Sequence, residues 1–194
     1  MGWRRDRPER DDKLAAQLRE RLGKRSVVLV GLMGCGKSSI GRRMASRLAI
    51  PFVDADDEIE QAAGMNIPEI FAQHGEAYFR DGERRVIMRL LEQGPQVLAT
   101  GGGAYMNAET RANIARSGIS LWLKADLDIL MKRVARRSNR PLLKASNPEE
   151  VMRGLMKQRY PVYAEAEVTL QSREIPHDRI VDEAIAALTG SAKL

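Results

Sequence analysis

Short apolar runs alternate with stretches of helical periodicity along this chain. Val27–Val30, Phe52–Val53, Val97–Thr100, Ile119–Leu123 and Val168–Leu170 are too short for helices. They carry the near-continuous apolar character of strands covered on both faces. Between them the apolar positions change period: Ile40, Met44 and Leu48 fall at i, i+4 and i+8, one face of a helix. The spacing predicts helices over Lys37–Leu48, Asp57–Ala63, Ile67–His74, Glu76–Glu92, Ala108–Ser117, Leu127–Arg137, Pro148–Tyr160 and about Asp178–Leu188. Asn107 and Asp126 stand where N-caps belong, and Pro148 suits a first helical position behind Asn147. This alternation predicts an α/β fold, a parallel sheet with helices on both faces. There is no internal repeat and no low-complexity linker, so residues 26–190 are expected to form one domain behind an extension over 1–25.

Ligands of such sheets lie beyond the carboxyl ends of the strands, so the residues after each apolar run carry the chemistry. The first run feeds Gly31-Leu32-Met33-Gly34-Cys35-Gly36-Lys37-Ser38, the G-x-x-x-x-G-K-S phosphate-binding loop. Around Gly34, Cys35 and Gly36 the backbone N–H groups can fold about a polyphosphate, with Ser39 at the start of the following helix. Lys37 would reach the β/γ-phosphates, Ser38 would ligate Mg²⁺, and the helix dipole would face the phosphates. This predicts a nucleoside triphosphate site. The second run exits through Asp54 and Asp56, two carboxylates near that loop, with Asp57 and Glu58 expected to occupy the first turn of the next helix. The third leads into Thr100-Gly101-Gly102-Gly103. A nucleotide-hydrolysing motor commonly has a magnesium-holding aspartate here; its absence makes Asp54 the nearest substitute. Three glycines let a ligand lie directly against the backbone. Three arginines stand in distinctive settings: Arg80 after Phe79, Arg140 in Asn139-Arg140-Pro141 between two helices, and Arg159 before Tyr160-Pro161. The second is placed to be a mobile lid near 138–146, and the third ends a helix at a proline-terminated corner.

Composition narrows the setting. Cys35 is the single cysteine, so no intramolecular disulfide framework exists, as expected of a reducing cytoplasm. His74 and His177 are far apart and without cysteine neighbours, against a zinc site. No stretch has the length and apolarity of a membrane span, and no secretory leader pattern opens the chain. The net charge of +6 invites a nucleic-acid reading, but residues 1–25 hold nine Lys/Arg against five acids, a net of +4, leaving +2 for the other 169 residues. The basicity is thus mostly that of a solvated extension, within which Leu14, Leu18 and Leu22 form a helical stripe able to dock on the body. With 5% aromatic residues there is no stacking platform for RNA, and no Asn-Lys-x-Asp segment reads guanine. No nucleic-acid or membrane partner is expected.

In combination the motifs resemble the shikimate kinase family over essentially all of residues 26–188: Gly31–Ser38, Phe52–Asp56 running into Ile59-Glu60, Phe79–Glu83, Thr100–Gly103, Arg140–Leu143 and Arg159–Tyr163, in this order. The resemblance implies a nucleoside-monophosphate-kinase-like P-loop fold with strand order 2-3-1-4-5, and ATP-dependent phosphorylation of the shikimate 3-hydroxyl on the route to aromatic amino acids. It implies that Arg80 and Arg159 bind the shikimate carboxylate, as suits arginine's planar fork. Asp56 would orient the ring hydroxyls beside the attacking oxygen, and the Gly101–Gly103 run would line the acceptor, Gly102 through its N–H. Asp54 and Ser38 would hold Mg²⁺, Glu83 would position an arginine, and Lys37 and Arg140 would neutralise charge on the transferring group. The catalytic set expected is therefore Lys37, Asp56 and Arg140, in a monomer binding shikimate and ATP. A gluconate-type kinase shares the loop but is not expected to carry both the Asp54-Ala55-Asp56 exit and the two arginine contexts. A nucleoside-monophosphate kinase would find its acceptor phosphate repelled by Asp54 and Asp56.

Overall fold

A computed structural model describes residues 6–136 and 147–191, with the side chains of 6–11 excepted. The expected lid and Arg140 lie outside the described residues. Five strands, β1 (Ser26–Val30), β2 (Phe52–Asp54), β3 (Val97–Ala99), β4 (Gly118–Lys124) and β5 (Val168–Gln171), form one parallel sheet in the order β2-β3-β1-β4-β5. This is the expected architecture. Every residue of β1 is buried, which is why its pattern runs apolar rather than alternating.

The helices are α1 (Asp6–Leu22), α2 (Lys37–Leu48), α3 (Ala55–Ala63), α4 (Ile67–Glu92), α5 (Ala108–Ser117), α6 (Leu127–Ala135), α7 (Pro148–Tyr163) and α8 (His177–Thr189). Ile40, Met44 and Leu48 of α2 are buried in the core as their spacing requires. Gly41 lets this helix settle onto the sheet: a Cβ there would stand 2.6 Å from the Phe52 ring and 2.8 Å from a Leu29 methyl. Asn107 and Asn147 cap α5 and α7 through their side chains, and Pro148 stands behind Asn147 as expected. Asp126 occupies the N-cap position of α6 without a side-chain cap bond.

The two helices expected over Ile67–His74 and Glu76–Glu92 meet within α4 and are divided, as expected, at Gly75, whose φ of 79° and ψ of 174° are non-helical and accessible only to glycine. Three local outcomes differ from the sequence reading. Helix α3 starts earlier than expected because the Asp54 carboxylate accepts from the Asp56 N–H at 3.3 Å. Asp54 is therefore the cap, and Asp56 lies in the first helical turn rather than on the strand. Helix α7 runs through Pro161 to Tyr163 instead of ending at Tyr160. A proline this near the terminus forfeits one N–H bond, while the fully buried Tyr163 ring anchors the extra turn. Finally, α1 is not merely solvated: Leu18 and Leu22 are fully buried in the main core, where α1 lies against α2 and α8.

Candidate active site

A cleft of about 610 Å³ opens along the carboxyl ends of the strands, with the phosphate loop at one side and the glycine run after β3 at the other. Gly34, Gly36, Lys37, Ser38, Ser39, Asp54, Asp56, Arg80, Gly101, Gly102, Gly103 and Arg159 all line it. Residues spread over 126 positions of sequence thus meet in one space.

The loop holds its shape through its own backbone. Gly34 and Gly36 take φ of 84° and 105°, a left-handed region closed to most side chains. Gly36 then acts as N-cap of α2 with no side-chain cap bond, leaving the helix's first N–H groups turned outward for an anion. Lys37 folds back so that its ammonium donates to the carbonyls of Gly31 at 2.7 Å and Leu32 at 3.2 Å. The Ser38 hydroxyl donates to the Asp54 carboxylate at 3.0 Å, so the two expected magnesium ligands are adjacent. The Cys35 side chain does not line the cleft. Its thiol is buried beneath the turn and its N–H donates to the Leu32 carbonyl at 3.2 Å. The tight turn needs a small residue pointing inward there.

Opposite the loop, α4 and α7 deliver their arginines onto the glycine run. A Cβ on Gly103 would lie 2.6 Å from the guanidinium carbon of Arg80, and one on Gly102 would lie 3.0 Å from Nη1 of Arg159. A Cβ on Gly101 would meet Glu83 Oε1 at 2.7 Å and Asp56 Oδ1 at 3.0 Å. Only glycines allow these four side chains to close on the loop. Arg80 donates to Glu83 at 2.8 Å and to Glu76 at 3.2 Å, and Glu83 is 2% exposed. Burial raises the Glu83 carboxyl above its usual range, with Arg80 pulling the other way. Asp56 is likewise raised, chiefly by burial and then by the Asp54 charge, with Lys37 opposing.

Several lining residues were not legible in the sequence: Met33, Ile67, Phe71, Arg133, Arg136 and His177. Arg133 ties the phosphate loop to the segment after β5, donating to Ser172 Oγ at 2.8 Å, to the Arg173 carbonyl at 2.8 Å and to the carbonyls of Gly34 and Cys35 at 3.3 Å each. An arginine in a basic helix gives no signal of this role. The Phe71 and Phe79 rings, 4.7 Å apart, wall the acceptor end.

A five-stranded parallel sheet in this order, a phosphate loop feeding α2 and a facing pocket with two arginines define a P-loop kinase of the nucleoside-monophosphate-kinase-like class. The family model for shikimate kinase matches residues 33–189. Curated shikimate kinases of Bradyrhizobium diazoefficiens and Rhodopseudomonas palustris are 61% and 57% identical over 173 residues, 89% of this chain and 84% and 85% of those proteins. The chain belongs to the shikimate kinase family. A solved shikimate kinase from Acinetobacter baumannii in complex with shikimate superposes with a TM-score of 0.79 at 37% identity, covering 84% of this chain and 91% of that one. A gluconokinase from Sinorhizobium meliloti, at 20% identity, 0.58 TM-score and coverage of 85% of this chain and 91% of that one, shares the fold.

Proposed function

We propose that this chain transfers the γ-phosphoryl group of ATP to the 3-hydroxyl of shikimate, giving shikimate 3-phosphate and ADP. The observation that carries the residue assignments is the convergence of Arg80 and Arg159 on the glycine run, across the cleft from Lys37, with Asp56 between. Two guanidinium forks suit the single carboxylate of the acceptor. Asp56 accepts a hydrogen bond from the hydroxyl that attacks; its raised pKa makes it a better proton acceptor than an exposed aspartate. The attacking oxygen forms the new P–O bond as the bond to the β-phosphate oxygen breaks, and the hydroxyl proton passes to Asp56. Because such transition states are loose, alignment and charge neutralisation outweigh deprotonation. Lys37 must release the Gly31 and Leu32 carbonyls to reach the phosphates, and Arg140 is proposed as the lid arginine on the transferring group.

The adjacent Ser38 hydroxyl and Asp54 carboxylate are hard oxygen donors of the kind Mg²⁺ takes. No group of three or more acidic, His or Cys side chains able to hold a metal exists among the described residues; one carboxylate and one hydroxyl fit an ion completed by nucleotide phosphates and water. When bound, the ion supplies charge neutralisation on the phosphates. A monomer is proposed, and the lone buried thiol suits the reducing cytoplasm. Among the described residues no helix is long and apolar enough to cross a membrane.

A coupled ADP-release assay with shikimate, gluconate and AMP tests the reading, with Lys37→Met as the folded, inactive control. Shikimate should be turned over with kcat/KM at least 100-fold above either alternative. Preference for gluconate or AMP, or a retained rate in Lys37→Met, refutes it.

A further inference from the structure

Tyr163 is the last residue of α7 and one helical turn beyond Arg159. It is fully buried, and its ring stands among Tyr105, Trp122 and Tyr160, with centroids 6.4, 5.9 and 6.2 Å away. A phenylalanine would fill that space equally well. The hydroxyl nevertheless points at the acceptor site, donating to the carbonyl of Gly102. Arg159 interacts with the same phenol oxygen. From where a Gly102 Cβ would stand, Arg159 Nη1 is 3.0 Å and the Tyr163 oxygen 3.7 Å distant. One buried hydroxyl thus binds the glycine run at the residue the arginine also meets.

We infer that Tyr163 is a positioning residue of the acceptor site, its hydroxyl fixing the Gly102 peptide and steadying the Arg159 guanidinium so that both reach the acceptor preassembled. The inference rests on the assignment of Arg159 to the acceptor carboxylate. With the Gly102 carbonyl held by Tyr163, the N–H of Gly103 at the other end of the same planar trans peptide is aimed the opposite way. Arg159, half-exposed at the cleft, has a long side chain with many rotamers to lose on binding, and a fixed partner removes part of that cost before the acceptor arrives. Burial pushes the phenol up to about 12, so the hydroxyl stays protonated, and a donor, at neutral pH. The neighbouring Tyr160 belongs to the same aromatic cluster but sends its hydroxyl to the Ala125 carbonyl, away from the glycine run.

Tyr163→Phe deletes only the oxygen. Loss of the hydrogen bond that fixes Gly102 beside Arg159 is expected to raise the KM for shikimate roughly three- to tenfold, with the KM for ATP within about twofold of native and kcat changed less than the shikimate KM. Tyr160→Phe perturbs the same cluster and should leave the shikimate KM within about twofold. The double variant Arg159→Ala/Tyr163→Phe should have a shikimate KM raised above that of Arg159→Ala by less than Tyr163→Phe raises it in the native enzyme, because part of the tyrosine's effect passes through the arginine and part through Gly102; full additivity overturns the inference. An equal rise in both substrates' KM, or the same effect from Tyr160→Phe, means general loosening and overturns the inference. Should Arg159→Ala raise the shikimate KM while Tyr163→Phe does not, the inference fails and the proposed function stands. If neither does, the assignment of Arg159 falls, and the inference with it. Calorimetric titration of each variant with shikimate and with ATP gives the same comparison without turnover, and shikimate dissociation constants that do not rise in Tyr163→Phe overturn the inference.

Discussion

Replacing Gly103 with alanine tests the close approach on which the acceptor site depends. The added methyl would sit 2.6 Å from both Cζ and Nη2 of Arg80, well inside van der Waals contact, so the guanidinium must retreat by about 1 Å to reach an ordinary separation. Its Nη1 donates to Glu83 Oε2 at 2.8 Å, and a retreat of that size takes the pair beyond hydrogen-bonding range. Glu83 is 2% exposed, and its other oxygen has no partner among the described residues. The displaced arginine therefore leaves a buried carboxylate unsupported, a cost of about 1–3 kcal/mol. For a chain of this size that lowers the melting temperature by a few degrees, at roughly 2–4 °C per kcal/mol. The same displacement misaims one of the two carboxylate forks, and a lost charged hydrogen bond of about 1.5–3 kcal/mol raises the shikimate KM roughly 10–100-fold. With ATP assigned to the Lys37 side of the cleft, its KM should stay within about twofold. Initial rates in a coupled assay, varying each substrate in turn, separate the two effects. An unchanged shikimate KM in a folded Gly103→Ala protein would show that Arg80 does not press on this glycine or does not bind the acceptor.

Two further substitutions probe the scaffold and the charge at the site. Gly41→Ala drives a methyl into the Phe52 ring and a Leu29 methyl at 2.6 and 2.8 Å. Overpacking of two side chains at the upper end of about 1–3 kcal/mol, offset by about 1 kcal/mol of helix propensity, leaves about 2 kcal/mol of destabilisation; a thermal melt unchanged from native contradicts the packing. Asp56→Asn tests the electrostatics. A carboxyl whose folded pKa is raised binds more protons folded than unfolded, so its cost is absent below the unfolded value of 3.8 and grows as pH rises through the folded one. The variant should lose kcat yet melt higher than native at pH 7, with the difference shrinking towards pH 4. A lower melting temperature at pH 7 would mean the Asp56 carboxylate is stabilised, not strained.

The sheet was legible because its three central strands, β3, β1 and β4, are buried along nearly their whole length, leaving little polar alternation to obscure them. The phosphate loop was legible because its function is carried by glycines and one lysine in contiguous sequence. What sequence spacing missed depends on the third dimension. The Asp54 cap pulls Asp56 into a helix, since a side chain folding back on its own backbone has no periodicity. Pro161 looked like a stop because the burial of Tyr163, which favours the extra turn, is set by β4 and the segment after β3. Arg133 reaches the loop because β4 and β5 stand side by side, which brings Ser172 and Arg173 after β5 up to the phosphate loop.

The leucine-studded first helix changes where the folding unit begins. Leu18 and Leu22 fill space against α2 and α8, and Arg21 donates to the Thr189 and Ser191 carbonyls at the end of α8. The family match starts only at residue 33. A polypeptide trimmed to that homology limit would also lose β1, and one trimmed at residue 26 would uncover an oily groove along the two helices that begin beside the nucleotide. Expression of such a shortened form should yield sticky, heat-labile material, although no described residue that lines the cleft has been removed.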